Sequence, residues 1–178
     1  MQATNIFLAL DPHTAQDDST LHAWEQLARR ALQFSQHGKI ESAMALQINA
    51  LQVAARLLTG PMLYAHPDRC MAAWVVSHHN VAQLLEQRQQ LVLALDYLCD
   101  AHIGLRSIQS APATAPEVQQ AALRHMRETH AALLQWHSRY GSCTCIDAAL
   151  RAPEHGQPDS ACFAPSTPSI RFPSSHLH

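Results

Sequence analysis

Two cysteines separated by one residue, Cys143 and Cys145, are the sharpest chemical feature of the chain. Thiolates are soft ligands that suit zinc or cuprous copper. His155 and Cys162 follow downstream and would complete a tetrahedral set. Such an arrangement would make this a small metal- or thiol-binding protein. The spacing fits no standard zinc module, however, and the plainer reading is two reduced thiols where a helix gives way to the tail. Cys70 and Cys99 lie near apolar stripes and read as small buried hydrophobes. An odd total of five cysteines matches no regular disulfide framework, so reduced thiols are expected.

Histidine is abundant, with 13 copies. His78 and His102 fall on otherwise apolar stripes, where an imidazole reads as a core residue bonded to a neighbour. His78 and His79 are adjacent, so on a helix they point ~100° apart and cannot chelate one ion. His130 and His137 lie two turns apart, too far for shared chelation, and no HExxH or ExxH occurs. Nucleophile and phosphate motifs are missing too. There is no G-x-S-x-G, P-loop or G-x-G-x-x-G, and with five glycines none can hide. Asp17 and Asp18 read as acids at a helix start rather than acid/base machinery. No catalytic residue, metal ligand set or cofactor is therefore expected.

Charge and hydropathy narrow the partners. The net charge is −2 and the isoelectric point about 6.7, which leaves no electrostatic footprint for nucleic acid or an anionic membrane. Arg124 and Arg127 come nearest to a basic recognition helix, and Glu128 dilutes them. No apolar run approaches the ~20 residues that span a bilayer. The opening MQATNIFLALDPHT has no basic segment and only five consecutive apolar residues, Ile6 to Leu10. An export signal is not expected, and a cytoplasmic location is.

The elements that must position these groups are helices. Alanine occurs 29 times against five glycines, the balance of a helical protein. Because a proline inside a helix costs ~3 kcal/mol, the proline-free stretches 13–60, 68–111 and 117–152 mark where helices run. Apolar spacing near 3.6 predicts five of them, at 19–37, 39–59, 67–88, 90–110 and 115–140. The first would start at Asp17-Asp18-Ser19-Thr20, and the fifth at a capping box, Thr114-Ala115-Pro116-Glu117. The second would bury Ile40, Met44, Ile48, Leu51, Ala55 and Leu58. Residues 1–18 form a lead-in, 19–141 the helical domain and 142–178 a cysteine-containing junction followed by a tail. Residues 142–152 could add a short turn of helix. From Pro153 onward five prolines and five serines predict disorder.

An internal repeat runs through this pattern. Ala31, Phe34, Gly38, Ala43 and Ala50 are spaced as Ala82, Leu85, Gln89, Ala94 and Ala101 are. A small and a large residue mark one helix, a break follows, and two alanines a heptad apart mark the next. These landmarks resemble the tetratricopeptide repeat over about 21–59 and 71–109. The copies stand 51 residues apart, against ~34 in that family. Gln89 replaces the glycine, and the proline after the second helix is missing.

The resemblance implies an all-α fold of two antiparallel helical hairpins, with the fifth helix capping the exposed end. It also implies a non-enzymatic module that binds a peptide or a partner protein, a second copy of the chain among the candidates. Groove positions on the first helices would be Glu25, Ser35 and Gln36 in one copy and His79, Gln83, Glu86 and Gln87 in the other. Each of the seven reads equally as an ordinary solvated helix face. The lysine and asparagine clamp that some members use on a C-terminal carboxylate is not carried here. The only lysine is Lys39, in a turn.

Overall fold

A computed structural model describes residues 12–151, with side chains from Ser19 onward. All regular structure among them is helical: α1 (Pro12–Gln36), α2 (Ile40–Leu57), α3 (Met62–Ala65), α4 (Pro67–Gln87), α5 (Leu91–Ser110), α6 (Pro116–Tyr140) and α7 (Thr144–Leu150). Residues 1–11 of the expected lead-in and the tail from 153 lie outside the described residues.

Proline and glycine set the helix boundaries. Pro67 and Pro116 occupy first turns, where the missing N–H has no partner to lose. Gly141, at φ 91°, ends α6, and its N–H bonds the His137 carbonyl at 2.9 Å. The two tight turns are the most informative. Gly38 has φ 70° and Gln89 φ 60°. After each, the next N–H reaches back five residues: Lys39 to the Phe34 carbonyl and Gln90 to that of Leu85, both at 2.9 Å. The flanking residues match as well, Lys39 at φ −86°, ψ 64° and Gln90 at φ −92°, ψ 61°.

Four expectations are corrected. α1 begins at Pro12, so residues 12–18 are helix rather than lead-in. The capping box does not form, because the residue before α6 is Ala115 and no side chain caps it. α3, where no helix was expected, is a real helix too short to display a period, whereas α7 falls within 142–152, where a short turn of helix was expected. Finally, α2 buries Ala43, Gln47, Ala50, Ala54 and Leu57 instead of the larger stripe beside them. It is pressed between α1 and α4. Small side chains take the closest approach, while Met44, Ile48 and Leu51 flank it half-buried and Ala55 is exposed.

α4 is the hub. It packs on α2, α5 and α6 and touches α1 and α3, so residues on every side of it are buried. Two apolar clusters result. One gathers Leu21, Leu57, Met62, Met71, Leu105 and Val118 with their neighbours. The other holds Val81, Leu85, Leu98, Leu133, Trp136 and Ile146. Between them, at mid-length of α4, α5 and α6, runs a buried polar belt of Ser77, His78, His102 and Thr129. Every belt member is bonded, as buried polar groups must be. Trp24 Nε1–H donates to Ser77 Oγ at 2.9 Å, and His78 Nδ1–H to the Trp74 carbonyl at 2.9 Å. α7 closes the second cluster, with Ile146 and Ala149 only 2% and 0% exposed. The helical unit therefore runs past the expected boundary at 141.

Candidate functional site

One end of the polar belt opens to solvent. His102 on α5 lines a cavity of about 440 Å³ that is walled by α5, α6 and the C-terminal end of α7. Thr129 Oγ donates to the Met126 carbonyl at 3.1 Å, which leaves its lone pairs to accept from His102 Nδ1–H at 2.8 Å. That fixes the imidazole tautomer, with Nε2 as an acceptor. Burial, then Arg106 and His130, hold the His102 pKa below the usual histidine value, so the ring is neutral at pH 7.

The cavity wall is apolar in part and cationic in part. Leu123, Met126 and Leu150 supply the apolar surface, and Arg106, Arg127 and Arg151 the charge. Among the described residues, no carboxylate side chain lines it. Arg106 is committed structurally: its Nη1 donates to the Ala149 and Arg151 carbonyls at 2.9 and 2.8 Å, satisfying the end of α7. Arg127 and His130 are exposed. Chemically, the cavity can hold a group that is anionic at one end and apolar at the other.

None of the seven groove positions expected from sequence lines this cavity. His79, Gln83, Glu86 and Gln87 follow one another along α4, and Glu25, Ser35 and Gln36 lie on α1. Glu25 pairs with Arg69 at 3.6 Å. Glu86 takes Arg139 at 2.6 Å and the Tyr140 hydroxyl, so it ties α4 to the end of α6. His79 is half-buried, and burial lowers its pKa against the opposing pull of Glu128. Arg124, the other arginine of the basic pair, is engaged in two bonds with Asp68, at 3.1 and 2.7 Å.

A family model described as "Protein of unknown function (DUF2753)" matches residues 22–160, a span that takes in the cavity, the two tight turns and α7. The chain belongs to that family. No curated protein and no solved structure matches it.

Two cysteines meet where α5 and α7 pack together. Cys145, near the start of α7, is half-buried, and its Sγ is 2.7 Å from Cys99 Sγ on α5, which is buried. Cys143 stands beside them, half-buried. The sequence assigned Cys99 to the core and looked to His155 or Cys162 as partners for Cys145. Both of those lie outside the described residues. Among the described residues, no three His, Cys, Asp or Glu side chains converge to hold a metal ion, and no helix is long and apolar enough to cross a membrane. Cys99 and Cys145 are 46 residues apart, a separation at which no local spacing rule signals contact.

Proposed function

We propose that this protein is a non-enzymatic interaction module of the tetratricopeptide-like class, and that it binds a peptide or protein segment carrying a carboxylate beside an apolar side chain. The observation that carries the proposal is the α5–α6–α7 cavity, lined by arginines and by apolar side chains, with no acid among the described residues of its wall. Charge complementarity selects the ligand's sign. The floor selects a Leu- or Met-like side chain.

The repeat reading draws support from the two turns, which share one backbone conformation 51 residues apart. It draws more from Ala31, Ala43, Ala50, Ala82, Ala94 and Ala101, all buried at 0–3% exposure. α1 with α2 and α4 with α5 then form the two hairpins, and α6 covers the second. α3 takes up part of the extra length between copies.

Fluorescence anisotropy with labelled octapeptides ending in leucine tests the proposal. A free carboxylate terminus should bind at least tenfold more tightly than the amidated peptide, as one charge-assisted hydrogen bond of about 1.5–3 kcal/mol requires. Arg127→Glu should cost a similar factor, and Arg56→Glu on exposed α2 surface should cost nothing. Equal binding by both termini, or by both variants, would remove the cavity as the site. A second reading, a metal- or thiol-binding protein centred on Cys143 and Cys145, is favoured only by the Cys99–Cys145 contact. Stoichiometric zinc or copper that disappears in Cys143→Ser/Cys145→Ser would support its metal form.

A further inference from the structure

We infer that Cys99 and Cys145 form a dithiol site that closes to an intramolecular disulfide, cross-linking α5 to α7, on exposure to a small disulfide oxidant such as oxidised glutathione. Three observations place this site. The two sulfurs stand 2.7 Å apart. The helices that carry them pack against one another, because Ile146 and Ala149 enter the same apolar cluster as Cys99. Arg106 on α5 also clasps the last carbonyls of α7.

The chemistry is thiol–disulfide exchange. The accessible thiol, Cys145, loses its proton and attacks one sulfur of the oxidant, forming a mixed disulfide and expelling one glutathione thiolate. Cys99, deprotonated in turn, attacks Cys145 Sγ. The Cys99–Cys145 bond forms, the mixed disulfide breaks and a second glutathione leaves. Two protein thiols are oxidised, one glutathione disulfide is reduced to two thiols, and the two protons end on the glutathione. Burial pushes the Cys99 and Cys145 pKa values up, although the hydrogen bond with Cys99 opposes it at Cys145. Both thiolates are thus poor leaving groups, and the bond, once made, resists reversal.

Peptide mapping of the full chain by mass spectrometry, after equilibration with oxidised glutathione and alkylation of the remaining thiols, tests this. The expected product joins the tryptic peptide holding Cys99 to the one holding Cys145, with a loss of about 2 Da and no retained glutathione. Cys143 shares the Cys145 peptide, so Cys143→Ser assigns the bond: the cross-link should persist there and vanish in Cys145→Ser. Oxidised chain should melt at a higher temperature than reduced chain, and dithiothreitol should reverse the rise. A Cys143–Cys145 linkage, glutathione left on Cys145, disulfide-linked dimers or an unchanged thiol count would each overturn the proposal.

Discussion

His78 is where the fold is most exposed to acid. Its ring is 3% exposed, lies 4.0 Å from the Trp74 indole between centroids and spends its Nδ1–H on a backbone carbonyl. Burial lowers its pKa to about 4. The unfolded chain takes up this proton near pH 6.5 and the folded chain only near 4, so stability is complete above pH 6.5 and declines as pH falls between the two. The loss from this one residue is on the order of 3 kcal/mol. His79 and His102, also lowered by burial, add in the same direction. Urea midpoints should fall steadily from pH 7 to pH 4.5, and His78→Gln should give a shallower decline. A flat profile would contradict the buried neutral ring. That His78 and His102 belong to the core was legible, because each interrupts an apolar stripe. Their bonding partners were not, since Thr129 reaches His102 from another helix.

At the scale of elements, the long helices and a short one within 142–152 were readable, while α3 and the buried face of α2 were not. Prolines and glycines punctuate the chain so plainly that the five long helices were placed, although α1 starts seven residues earlier than expected. α3 has only four residues, less than two turns, so no periodicity exists to be detected. For α2 the large apolar residues were a misleading guide, because a helix caught between two neighbours buries its smallest side chains. The turns carry a sharp test. Gln89 holds a left-handed backbone that costs a side-chain-bearing residue about 1 kcal/mol and glycine nothing. Gln89→Gly should therefore raise stability by about that amount, and Gly38→Ala should lower it comparably. Both sites are exposed, a Cβ at Gly38 meets no atom, and the Gln89 side chain makes only a long 3.5 Å bond to the Glu86 carbonyl, so melting temperatures report chiefly the backbone. Equal shifts of the same sign in both variants would mean that the two turns are not equivalent.

Over the whole molecule, the all-α class was legible from composition, while the cavity was not. Its walls come from α5, α6 and α7, and the residues that meet there, among them His102, Leu123, Arg127 and Leu150, share no sequence spacing. Position also decides how the molecule comes apart. An open solenoid frays repeat by repeat, because each unit touches only its neighbours. Here α4 is gripped from several sides, so no neighbour can leave without stripping its surface, and α1, α2, α4, α5 and α6 should unfold in one cooperative step. Deuterium exchange of backbone amides would record that enclosure. The middle of α4, around Val75 to Val81, should exchange last and only through global opening. α7, seven residues long and held by Ile146, Ala149 and the Arg106 clasp, should exchange first. The cavity's third wall would then be a door on a hinge, opening many times for each time the protein unfolds.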